Sequence, residues 1–462
     1  MRSRSADRSP TDRRRRPLGG LVVVAVLLAA CTTADKDPAA RPGAPEEGPD
    51  GGALLLATTD NGDAAIDGAS GALVAGGPGT VATPDGATMF RATQLDRRTV
   101  VTTLDARTGR TVASTPLRGD LELAIASVTG RAIALVEPAP GAPTGSLPGL
   151  PVPRAWTPIV VADPSGATPP ARFRLEGNYE PEAFSLDDGQ LFLIQYLPAE
   201  APAVYRVTVL DLATGDVSPV TGRFKTPPER MPGVRLGQVY DPVTAQMYTL
   251  YSNQPGAYAE GYEHAGGTSH DWPEETFVHV LNLRKGWAYC AGVPEEMWGG
   301  TAREQSLVPS PDGRWLYIVD AGEGMVAVMD TRTLEIVRSG RIDLGGEASD
   351  LRTSLAVSPG GETLFVAAGA EPGTVSAIAT ADLTTVEAWP SPLPASGLGL
   401  SLDGSGLYVA GAGRIALLDL ATGEPRATVP TTVVEPIVSL DPLPGVVADA
   451  LGDAAAGVDL AR

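Results

Sequence analysis

The chain has 462 residues and a formal net charge of −20, with 35 Lys and Arg against 55 Asp and Glu. Such acidity suits neither nucleic acid nor an anionic membrane surface, so charge-driven binding to either is excluded and no nucleic-acid partner is expected. Only two cysteines are present, which excludes a disulfide framework, and 54 glycines and 42 prolines without a long run of 3.6-residue periodicity point to a turn-rich all-β protein.

In chain order, the first element is an address. Residues 1–16 carry seven arginines, four of them consecutive from Arg13 to Arg16, and Leu18 to Ala30 is an uncharged run of Leu, Val, Gly and Ala. Thirteen residues of helix reach about 20 Å, short of the roughly 30 Å of a bilayer core, so a signal peptide fits better than a membrane span. The run ends in Leu28-Ala29-Ala30-Cys31, which resembles the lipobox of bacterial lipoproteins, of actinobacterial type. That resemblance implies cleavage before Cys31, lipidation of its thiol and attachment to the extracytoplasmic face of the cell membrane. Arg15-Arg16-Pro17-Leu18 lacks the usual twin-arginine spacing, so both the general secretory and the twin-arginine routes stay open. Losing residues 1–30 removes seven Arg and two Asp, which leaves 432 residues of net charge −25. Residues 31–52 are Pro, Gly, Ala and charge without apolar periodicity, as expected of a disordered tether.

Residues 53–462 are organised as a repeat. Turn-then-strand starts occur at Thr83, Ser127, Ser185, Tyr240, Ser310, Ser358 and Ser401, of which Ser310-Pro311-Asp312-Gly313 is the clearest. Proline presets φ, aspartate accepts from local amides and glycine takes positive φ, so each start reverses the chain between antiparallel strands. An alternating strand ending in an acidic turn follows, as in Leu418-Asp419-Leu420-Ala421-Thr422-Gly423, and then an outer strand. Such four-stranded units cannot cover their own faces and are expected to stack radially. The pattern SPDGxxLYV, VxVxD, TxxV resembles the YVTN-type β-propeller repeat, related to lactonase-like propellers. The resemblance implies a fold and is nearly silent on activity, because such folds host hydrolases and scaffolds alike.

Blade number depends on the ends. Leu54 onward holds strands without a preceding start, and Glu435 onward begins a repeat that stops early. The two are expected to share one blade and close an eight-bladed ring, with seven blades as the alternative if the irregular Ser127–Gly177 unit is an insertion.

Three features compete for chemistry. Tyr251 to Val280 contains all three histidines, His264, His270 and His279, with Asp271 and several glutamates; these could hold Ca²⁺ or a transition metal, although no spacing matches a ligand motif and no cofactor is required. Glu180 and Glu182, two apart on an inner strand, would point alike and could bind a cation or share a proton. Cys290, beside Trp287 and Tyr289, reads as a packed thiol. No nucleophile and base stand at a recognisable spacing. The expected function is a membrane-anchored binding or scaffold lipoprotein, with an envelope protein, glycan or small ligand as partner. The alternative is a lactonase-like hydrolase in which a channel metal activates water.

Overall fold

The structure is a computed structural model that describes residues 53–59, 61–139, 152–225, 230–253, 275–298, 304–344, 353–368, 373–433 and 437–443. The leader, Cys31 and the tether lie outside the described residues, as do His264, His270 and Asp271.

Eight antiparallel sheets form the blades of a β-propeller. Six have four strands in chain order from the axis outward, and the closing blade has four strands drawn from both ends of the chain; the fourth blade gains a short extra strand, Thr221–Gly222, paired parallel to its outermost strand. Numbered along the chain, the innermost strands of blades one to seven are Thr80–Ala82, Glu122–Ala126, Asn178–Phe184, Val234–Asp241, Gln305–Pro309, Ser354–Val357 and Gly397–Leu400. The eighth blade takes its innermost strand, Ile437–Pro442, from the C-terminal end and its other three, Leu54–Thr59, Gly62–Asp67 and Leu73–Gly76, from the N-terminal end. The expected eight blades and shared closing blade are therefore both present. The N-terminal segment supplies second to fourth strands, and the innermost place falls to residues 437–442.

The turns form for the reasons their residues suggest. In the fifth blade Ser310 Oγ donates to Asp312 Oδ1 at 2.6 Å, Asp312 accepts from the Arg314 amide, and Gly313 stands at φ +65°. Ser185 with Asp187 and Ser401 with Asp403 repeat the hydroxyl-to-carboxylate bond. At the next hairpin Asp105, Asp211 and Asp419 each accept from two following amides.

Among the described residues no single core runs through the molecule. Eight apolar clusters occupy the eight seams between neighbouring blades, as where Phe90 and Val101 of the first blade meet Ile133 and Leu135 of the second. Each blade is buried only by its neighbours, so the ring is stable only when closed.

Candidate functional site

The seam between the third and fourth blades carries the charge. Glu180 and Glu182 lie on the inner strand Asn178–Phe184, and a bulge between Pro181 and Ala183 sets Glu182 out of simple alternation. Across the seam Arg235, near the start of Val234–Asp241, reaches both: Nη2 is 3.4 Å from Glu180 Oε1 and Nη1 is 3.5 Å from Glu182 Oε2. The structure thus brings the two glutamates together, with a cation between them that the chain itself supplies.

The two acids differ in environment. The Glu182 side chain is 0% exposed, whereas that of Glu180 is 38% exposed and that of Arg235 43%. Glu182 Oε1 accepts from Gln238 Nε2 at 2.7 Å and from Thr249 Oγ1 at 3.4 Å; its Oε2 has the ion contact and no hydrogen bond. Burial pushes the Glu182 carboxyl up to about 7, because loss of water outweighs Arg235, and Glu180 adds to the rise. Glu180 Oε2 accepts from Tyr196 O–H at 2.6 Å, which fixes its direction. For Arg235, burial works against the charge, yet the two carboxylates more than offset it and raise its pKa. Further round the wall, burial lowers the pKa of Arg154 while Glu122 and Glu180 oppose that shift.

Behind the ion cluster runs a polar row. Gln238, Thr249, His279 and Cys290 stand directly opposite one another across the four principal strands of the fourth blade, on the face packed against the third. The row passes from the axis to the rim through an otherwise apolar and aromatic seam, with Tyr205 and Tyr251 at 4.9 Å between ring centres. His279 is 1% exposed, its Nδ1 has no hydrogen-bond partner, and burial pulls its pKa down to about 4. Burial likewise pushes the Cys290 thiol up to about 12, the direction opposite to an activated nucleophile. Among the described residues no three His, Cys, Asp or Glu side chains group as metal ligands.

Of the residues singled out in the sequence, Glu180 and Glu182 converge, and His279 lies two strands outward from Gln238 in the same cross-strand row. His264, His270 and Asp271 fall outside the described residues. Arg235, Gln238 and Tyr196 were not singled out. A signal existed for Arg235: it precedes the repeat start Tyr240 by the same five residues that separate Glu180 from Ser185.

No protein-family model matches the chain, and no curated protein matches it. Among solved structures, apo AztD from Citrobacter koseri is similar at 12% identity and a TM-score of 0.49, covering 84% of this chain and 97% of its own. Sqt1 from Saccharomyces cerevisiae is similar at 8% identity and 0.46, covering 84% and 90%. A putative 6-phosphogluconolactonase from Bacteroides uniformis is similar at 13% and 0.37, covering 74% and 94%. The likeness is one of chain path and carries nothing about activity.

Proposed function

We propose that this protein is a lipid-anchored, extracytoplasmic binding module whose ligand is a small hydroxyl- or amino-bearing molecule, such as a glycan unit, taken up at the Glu180–Arg235 end of the seam between the third and fourth blades. One observation carries the reading: a carboxylate and a guanidinium stand side by side, both exposed and both held from behind, Glu180 by Tyr196 and Arg235 by Glu182. Adjacent fixed acceptors and donors are what a pair of neighbouring hydroxyls requires. The protonation of Glu182 near 7 favours a hydrolase as the second reading, since an acid or base works best near the ambient pH. Its side chain, however, is 0% exposed and lies behind Arg235, where a substrate does not reach it.

The test is a thermal-shift panel of neutral and amino sugars on the full chain in detergent. A ligand at a hundredfold its Kd stabilises by about 2.7 kcal/mol, or about 3 °C for a protein of this size. At least one sugar is expected to give that rise, and Glu180→Ala is expected to abolish it. A flat panel, or a rise unaltered in Glu180→Ala, counts against the site.

Anchoring through Cys31 belongs to the same proposal and is supported by the arginine-rich start, the 13-residue apolar run and Leu28-Ala29-Ala30-Cys31. A chain expressed in a lipoprotein-processing bacterium is expected to incorporate labelled palmitate and to lose all label in Cys31→Ser. Retained label in that variant would refute the anchor.

A further inference from the structure

From the outer end of the polar row we infer a binding site for a single monovalent copper ion, held by Cys290 Sγ, Met231 Sδ and the His279 imidazole. The inference is independent of the ligand reading above. The Cys290 thiol donates to Met231 Sδ at 3.4 Å, close enough for both sulfurs to share an ion at about 2.3 Å from each, the usual metal–thiolate length. His279 is the cross-strand partner of Cys290 and faces the same seam, so their Cβ atoms are about 5 Å apart. Its Nδ1 is buried without a partner, a costly state for a ring nitrogen unless something fills it.

The donors are also held in place. Met231 is 4% exposed, and its backbone makes two hydrogen bonds to Tyr205, N–H to O at 2.7 and 2.9 Å. The ring of Tyr251 stands edge-on to His279 at 6.4 Å. Cys290 itself is half-buried, which leaves a path for the ion.

Charge and softness select the metal. A thiolate and a monovalent cation sum to zero with a neutral imidazole and a thioether, so an apolar seam accepts the complex without a buried net charge, whereas a divalent ion would leave one. Thioether and thiolate donors favour Cu(I), while Zn²⁺ wants four N or S ligands and Ca²⁺ six or more oxygens. Binding exchanges the thiol proton for the ion, Cys–SH and Cu⁺ giving Cys–S–Cu and a proton released to water.

The experiment is an anaerobic Cu(I) titration of the full chain in detergent against the chelator bicinchoninate, at several pH values. One ion per chain is expected, with an apparent affinity that strengthens about tenfold per pH unit between 6 and 8 because one proton leaves. Cys290→Ala is expected to abolish competition with the chelator, and Met231→Leu, of similar volume, to weaken binding tenfold or more. Equal melting temperatures of the copper-free variants and the parent separate loss of a ligand from loss of fold. No retained copper, binding unchanged in Cys290→Ala, or affinity independent of pH would each overturn the assignment.

Discussion

A chain that stops after residue 433 is expected not to fold cooperatively. The strand Ile437–Pro442 is the innermost of the eighth blade and pairs with Leu54–Thr59 along its length. Ile437, Leu440 and Leu443 are buried, Leu440 at 0% exposure, and they belong to the clusters that seal the eighth blade to the seventh and to the first. Removing three such side chains forfeits about 5–8 kcal/mol of burial, and the strand they cover loses its partner as well. That loss is comparable to the whole stability of an ordinary domain, about 5–15 kcal/mol.

The strand is also tied beyond its own blade. A Cβ on Gly399 of the seventh blade would meet the Leu440 carbonyl oxygen at 1.7 Å, so only glycine lets the two backbones lie so close. Ser354 Oγ of the sixth blade donates to Val438 O at 3.2 Å. Circular dichroism and urea unfolding of the shortened and full chains make the comparison. A shortened chain with a sharp transition within a few tenths molar urea of the full one would refute closure by this strand.

Arg235→Ala should destabilise the protein by about 2–3 kcal/mol at pH 8 and by clearly less at pH 5. Removing one partner of a buried ion pair costs about 3–5 kcal/mol, because it strands the other charge, and the exposure of Arg235 moderates that here. The sign of the pH effect follows from Glu182. Its carboxyl already titrates near 7 in the folded chain, against 4.5 as the ordinary value, so the folded state holds the proton more tightly than the unfolded one. Such a group contributes stability that is complete below 4.5 and lost as pH rises through 7. Without Arg235 the carboxyl moves higher still, which widens the gap at pH 8 and leaves pH 5 little changed.

Glu182→Gln removes the titration. The variant is expected to gain up to about 3 kcal/mol over the parent between pH 5 and pH 8, at 1.4 kcal/mol per unit of pKa change. In the double variant with Arg235→Ala, most of the loss at pH 8 should return, since a buried amide needs no cation. An Arg235→Ala cost that is equal at both pH values, or that persists in the double variant, would mean that the guanidinium acts by packing alone.

Both expectations turn on features of different legibility. The closing blade was readable because the Glu435 and Leu54 segments are visibly two parts of one repeat. Which of them took the innermost place was settled by packing, since only a strand arriving from the seventh blade lies against Gly399 and Ser354. Glu180 and Glu182 were readable as neighbours by the two-residue period of a strand. The burial of Glu182 and the ion contacts of both were not, because the bulge at Pro181 and the arrival of Arg235 from a strand 55 residues later belong to the ring. Likewise the thiol Cys290 was evident, but its facing histidine required the register of the Thr276–Asn282 and Trp287–Gly292 hairpin, and its thioether neighbour required the seam.

By itself, then, the sequence determined the repeat, the turn chemistry, the all-β class, an acidic composition and a last blade shared between the two ends, while eight blades rather than seven was decided by the ring. These follow from local rules: Ser-Pro-Asp-Gly and Asp-Leu-Ala-Thr-Gly reverse the chain where they stand, and period-two strands must cover their faces. The tertiary structure alone decided which charges meet. Glu182 with Arg235 and Cys290 with Met231 join residues more than fifty positions apart, across a seam whose existence a repeat predicts but whose side-chain pairing depends on how two neighbouring blades are set against each other.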